Sequence, residues 1–172
     1  LRVNPDTGAA MPDNPLAGSS DPNARRIIAY GLRNPFRMTI RPGTNEVWLG
    51  DVGWNTWEEI NRVADPLGSV ENFGWPCYEG RDQEQSARQS GYDGANLNIC
   101  EALYALPGGV VAPFFAYHHA AKVVPGESCR PNPDGTGTSS SVAGVAFYTN
   151  GPFPDSYDGA VFFADYSRDC IW

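Results

Sequence analysis

Short runs of aromatic and β-branched residues, each cut off by glycine or proline before a helical period can develop, run through the whole of this sequence. The pattern leaves little room for amphipathic helices and predicts an all-β chain of short strands and tight turns. Glycine (19) and proline (15) together approach a fifth of the residues. Strands are predicted over Arg37 to Ile40, Glu46 to Gly50, Glu59 to Val63, Val110 to Tyr117, Val142 to Tyr148 and Ala160 to Ala164. Between the first two, Pro42-Gly43-Thr44-Asn45 has the chemistry of a hairpin turn, with proline presetting φ and glycine accepting a positive one. The stretch from Ala95 to Tyr104 is a weak helix candidate. Residues 79–98 and 125–140 are polar and aperiodic, and read as long surface loops.

Two segments resemble each other. EVWLGDVG at 46–53 and AVFFADYS at 160–167 run apolar, aromatic, apolar, small, aspartate and turn, 114 residues apart. Taken as two steps of a repeat they give a unit of about 57 residues, within reach of a four-stranded propeller blade plus an insertion. Three such units do not close a ring, and radially repeated sheets need closure to protect their edges. The chain starts at Leu1 and stops at DCIW inside a predicted strand, so the sequence reads as a piece of a longer protein.

A net charge of -8 and a pI near 4.6 make nucleic acid and anionic membrane surfaces poor partners. No apolar run approaches the roughly 20 residues that cross a bilayer, so no membrane insertion is expected of this chain. Cys77, Cys100, Cys129 and Cys170 lack the paired spacing of a zinc site. Two disulfides are the preferred reading, Cys77 with Cys100 and Cys129 with Cys170 among the possible connectivities; unlinked thiols are the alternative. Bridges would place the protein in an oxidising compartment, secreted or periplasmic.

Two stretches concentrate polar chemistry. In YGLRNPFRM (30–38) the proline at 35 holds Asn34 extended and stiffens the corner that carries Arg33. A guanidinium aimed in this way suits a bidentate contact with a carboxylate, either on a ligand or on an internal group such as Asp51. In GDVGWNTWEEIN (50–61), Gly53 permits a tight turn with carbonyls directed at one centre, and Asp51, Glu58 and Glu59 add hard oxygen donors. That is calcium chemistry, although not the pattern of an EF-hand loop. Glu58 and Glu59 are adjacent, so on a strand they face opposite ways and one of them at most serves a given ion; the alternative is a pair of solvated carboxylates. His118 and His119, also adjacent, make a poor chelating pair. The common hydrolase and nucleotide-binding motifs do not occur.

Taken in order, YGLRNPFRM, GDVGWNTWEEIN, ENFGWPCYEG, SSSVAGVAFY and GAVFFADYSRDCIW resemble the glucose/sorbosone dehydrogenase family, the soluble aldose sugar dehydrogenases that depend on pyrroloquinoline quinone (PQQ). The resemblance implies a six-bladed β-propeller, of which this chain covers roughly half, and a secreted or periplasmic enzyme that passes electrons from an aldose sugar through PQQ to an external acceptor. It places Arg33, with Asn34 beside it, against PQQ. It gives the carbonyls of Gly53 and Trp54 to the calcium that polarises PQQ, Trp54 standing where the family often has proline. Glu59 and the carbonyl of Phe73 are implied ligands of a second calcium. The family's catalytic histidine lies upstream of the RNP corner, so no catalytic residue is assigned in this chain and the piece alone is expected to be inactive. A lysine that grips PQQ in the family corresponds to about Ser167, with Arg168 next to it as a substitute. The same fold in the Hedgehog-interacting protein implies the alternative of a non-catalytic propeller that binds a carbohydrate or protein partner.

Overall fold

A computed structural model describes residues 1–81, 85–129 and 139–172 of the chain. Strands predominate among them. Strand β1 (Ala29–Tyr30) leads through the RNP corner into β2 (Pro35–Ile40), β3 (Val47–Asp51) and β4 (Trp57–Val63). Next come β5 (Glu71–Asn72), the short helices α1 (Ser90–Gly94) and α2 (Asn98–Tyr104), and β6 (Phe115–His118). Strands β7 (Val142–Phe147), β8 (Val161–Asp165) and β9 (Cys170–Ile171) complete the chain.

Strands β2, β3, β4 and β6 form one antiparallel sheet in that order, and β7, β8 and β9 a second. The turn joining β2 to β3 is the one predicted: Gly43 adopts φ +75 and the Thr44 N–H donates to the Arg41 carbonyl at 3.1 Å. Every residue of β3 is buried, because both faces of the sheet are covered. On one side Trp48 and Ile60 pack against Val142 and Val145 of the second sheet. On the other, Val47 and Val63 pack on Phe73. Gly50 allows the sheets this close, since a Cβ there would stand 2.9 Å from a methyl of Val142.

The likeness between residues 46–53 and 160–167 is structural, but it marks one step of a repeat instead of two. Each segment supplies the second strand of its sheet, β3 or β8, and each ends on an aspartate at an equivalent place. Asp51 pairs with Pro35 and Asp165 with Val142, and a register shift follows both pairs. The interval is long because residues 64–114 form an added lobe between β4 and β6. Its strand β5 pairs in parallel with β1, a contact the sequence did not suggest.

The lobe also corrects the expected loop at 79–98. The Cys77–Cys100 disulfide (Cα–Cα 5.1 Å) gathers Tyr78, Ala87 and Val110 into a small core, and α1 follows Gln89, whose side chain caps it. The helix candidate at 95–104 is present as α2 over its last two-thirds. The strand predicted from Val110 begins only at Phe115, because Val110 is buried against the disulfide core and Pro113 has no N–H for a ladder. Cys129 is bonded to Cys170 (Cα–Cα 5.6 Å), so both expected pairings occur. Most of the loop predicted at 125–140 lies outside the described residues. No helix among the described residues is long and apolar enough to cross a membrane.

Candidate cofactor and metal site

The RNP corner is fastened through its backbone. Asp51, at the end of β3, accepts the Arg33 N–H at 2.9 Å on one carboxylate oxygen and the Asn34 N–H at 2.5 Å on the other. The Asn34 carbonyl in turn takes the Val52 N–H at 3.1 Å. Asp51 therefore holds the main chain of the corner and leaves the Arg33 side chain exposed. Nη1 of that guanidinium donates to the carbonyls of Val52 (3.0 Å) and Gly53 (2.8 Å), and its carbon lies 5.6 Å from the centre of the Trp75 ring.

The turn after β3 is held from the opposite direction by Glu79. One oxygen of this buried carboxylate accepts the N–H groups of Trp54, Asn55, Thr56 and Trp57 at 2.9, 3.2, 3.0 and 3.1 Å. Gly53 is required by close approach, since a Cβ there would fall 1.5 Å from the Trp57 carbonyl oxygen. Glu79 escaped the sequence reading. Its only local signal is its place two residues after Cys77, whose bridge fixes it at a range of more than twenty residues from its partners.

Glu58 and Glu59 do face opposite ways, and both are buried, which removes the solvated alternative. Glu58 points to the second sheet: one oxygen lies 2.7 Å from Nε2 of His119 and the other accepts the Val142 N–H at 2.9 Å. Burial raises its pKa, against the opposing bonds from His119 and Val142. Glu59 points to the added lobe, where it accepts the Gly80 N–H at 2.7 Å and the Asn61 amide at 3.0 Å. Burial pushes Glu59 up to about 7 and Asp51 up to about 6; neighbouring carboxylates add to both shifts and the hydrogen bonds oppose them. The side-chain oxygen of Asn61 is buried without a hydrogen-bond partner. Phe73 lies on the same side of the sheet as Glu59, packed on Val47 and Val63. This side of β4 thus carries two buried carboxyls whose neutral form is favoured chiefly by burial, and one amide oxygen without a partner.

The remaining candidates are engaged elsewhere. Arg168 is buried, and its guanidinium donates to Ser140 Oγ at 2.7 Å and to the carbonyls of Ala121, His118 and His119 at 2.7, 2.8 and 2.9 Å. It staples the second sheet to the chain after β6, and contact with a ligand would cost these bonds. His119 is committed to Glu58, and Nδ1 of His118 accepts the Ala120 N–H at 3.0 Å. Among the described residues no cluster of three or more His, Cys, Asp or Glu side chains could hold a metal. A cation here would therefore depend on backbone oxygens together with single carboxylates.

A sequence model of the family described as Glucose / Sorbosone dehydrogenase matches residues 1–107. The chain is 28% identical to the aldose sugar dehydrogenase YliI of Escherichia coli (strain K12) over 149 residues, covering 87% of this chain and 31% of that protein. It thus spans about a third of the length of the curated relative it matches. No solved structure matches it significantly.

Proposed function

The chain belongs to the glucose/sorbosone dehydrogenase family, and on that premise we propose that it forms part of a secreted or periplasmic six-bladed β-propeller that oxidises aldose sugars at C1. PQQ would be its cofactor, with calcium beside it and an external acceptor taking the electrons. The observation that carries the reading is the pair of consecutive carbonyls, Val52 and Gly53, closing on one cationic nitrogen of Arg33. A turn that already directs two oxygens at a cation fits calcium, which takes roughly six to eight oxygens and accepts backbone ones.

In this reading the Gly53 carbonyl, one of the two turned to a cation, and the Trp54 carbonyl, given by the family resemblance, hold the ion next to PQQ, and Arg33 and Asn34 face the cofactor. Glu59 and the Phe73 carbonyl would hold a second calcium, consistent with the unpartnered Asn61 oxygen and the buried Glu59 carboxyl on that side of β4. Bound PQQ supplies a two-electron acceptor, which calcium polarises. Arg33, swung off the two carbonyls, would offer its planar donors to a cofactor carboxylate. Arg168 can join such a contact only by releasing Ser140 and the carbonyls it now holds. The base that removes the sugar hydroxyl proton is assigned, by the family resemblance, to a part of the parent outside this chain; Nε2 of His119 is committed to Glu58 and Nδ1 of His118 to the Ala120 N–H.

Titration of the full-length protein with PQQ, followed by tryptophan fluorescence with and without calcium, tests the reading. Saturable binding that needs calcium and is weakened by Arg33→Ala supports it. Absence of binding by a folded protein turns to the second reading, a propeller that binds a carbohydrate or protein partner without redox chemistry. That reading is favoured by one observation: Arg168, one of the two arginines assigned to the cofactor, is buried and held by the chain itself.

A further inference from the structure

Beside Arg33 lies a cluster of rings to which nothing above gives a role. Trp54, Trp75 and Tyr92 meet pairwise in edge-on contacts, with centroid distances of 5.8 Å (Trp54–Trp75), 5.8 Å (Trp54–Tyr92) and 5.7 Å (Trp75–Tyr92). Trp54 is 48% exposed even so, at the tip of the turn that Glu79 holds. We propose that this triad is a sugar-binding platform, with Trp54 as the surface on which a pyranose ring of the substrate stacks. The choice of sugar as ligand rests on the sugar-dehydrogenase reading; the location rests on the geometry alone.

Three features set the triad apart from ordinary packing. First, the main chain that carries each ring is fixed: the Trp54 N–H on Glu79 at 2.9 Å, the Trp75 N–H on the Gly31 carbonyl at 2.9 Å and the Tyr92 N–H on Gln89 at 3.1 Å. A main chain ordered before binding, with the rings packed on one another, lowers the entropy lost when a ligand arrives. Second, Trp54 meets both neighbours at steep interplanar angles, 73° to Trp75 and 60° to Tyr92, and nearly half of it is still open to water. The electron-rich face of an indole attracts the weakly positive C–H groups that line one side of a pyranose. Third, the rim is polar in a way that suits hydroxyls. Asn55, the residue after Trp54, is exposed, and a carboxamide both donates to and accepts from adjacent hydroxyl groups. The platform adjoins the Arg33 guanidinium through Trp75, so a sugar seated there lies next to the proposed cofactor corner.

The test uses the full-length protein and methyl β-D-glucopyranoside, whose blocked anomeric oxygen prevents oxidation at C1, so that binding is read apart from turnover. Saturation-transfer NMR and tryptophan fluorescence should show binding in the millimolar range. Trp54→Ala should weaken it about tenfold or more and Trp54→Phe by about threefold or less, while the melting temperature of both variants stays near that of the parent. With glucose as substrate, Trp54→Ala should raise KM about tenfold. No detectable glucoside binding to the folded parent overturns the platform, as does binding that Trp54→Ala leaves intact. If the glucoside binds through Trp54 and no sugar-dependent dye reduction occurs with PQQ and calcium present, the platform stands and the dehydrogenase reading falls.

Discussion

Glu79 accepts the Trp54 N–H at 2.9 Å, and the same carboxylate oxygen takes the N–H groups of the next three residues. One carboxyl oxygen is thus shared among four donors in a buried place. Glu79→Gln keeps the shape and removes the charge. The variant should lose about 1–3 kcal/mol of stability in urea unfolding, since hydrogen bonds to a charged group are the stronger kind. An unchanged midpoint would show that the turn holds itself without Glu79.

Gly53 and Gly43 separate two reasons for glycine. At Gly53 a methyl group would stand 1.5 Å from the Trp57 carbonyl oxygen, whereas at Gly43 nothing lies within 4 Å and only the φ of +75 is demanding. Gly53→Ala should cost more than about 3 kcal/mol, the range in which backbone must move. Gly43→Ala should cost about 1–2 kcal/mol, the penalty of the left-handed region alone. Equal losses in the two variants, measured by denaturant unfolding, would refute the distinction.

The Cys77–Cys100 bridge closes the added lobe and fixes the segment that carries Glu79. Replacing both cysteines by serine should lower stability by roughly 2–4 kcal/mol. Protection of the Trp54 to Trp57 amides in hydrogen exchange should fall together with that of the lobe. Loss of protection in the lobe alone would uncouple the bridge from the turn.

Glu127 yields a pH dependence. Burial alone would raise its pKa, but the N–H groups of Val124 and Val123 and the Trp172 indole outweigh it, and the net shift is downward. A carboxylate whose folded pKa is depressed contributes stability that is present above its unfolded pKa and is lost as pH falls through the folded value. Melting temperature should therefore drop as pH falls through and below the ordinary glutamate range, and Glu127→Gln should flatten that part of the profile. An identical profile in the variant would sink the assignment.

What the sequence could reveal follows the range of the interactions. The β2–β3 hairpin was legible because Pro42 and Gly43 specify its turn locally. The opposite orientation of Glu58 and Glu59 followed from the two-residue period of a strand, but their burial did not, since it depends on the second sheet covering one face and the added lobe the other. The disulfide pairing was the preferred one, yet the small core it gathers, with α1 and the β1–β5 pair, was hidden in a stretch without periodicity. The stiff Arg33 corner was visible from Pro35, while the partner of its backbone and the grip of Glu79 on the neighbouring turn needed the fold.

The aspartates that close β3 and β8 make the two sheets pseudo-symmetric, and the symmetry breaks at the arginines. At the Asp51 corner the carboxylate binds only main-chain groups, so the Arg33 side chain remains on the surface. At the Asp165 corner the carboxylate takes the Tyr117 hydroxyl, Ser140 and the Arg168 N–H, and the guanidinium is drawn inside. One architectural joint has thus been specialised in two directions, as a presenting corner and as a keystone. Specificity engineering has room at the first, whereas changes at the second will be felt first as loss of the fold.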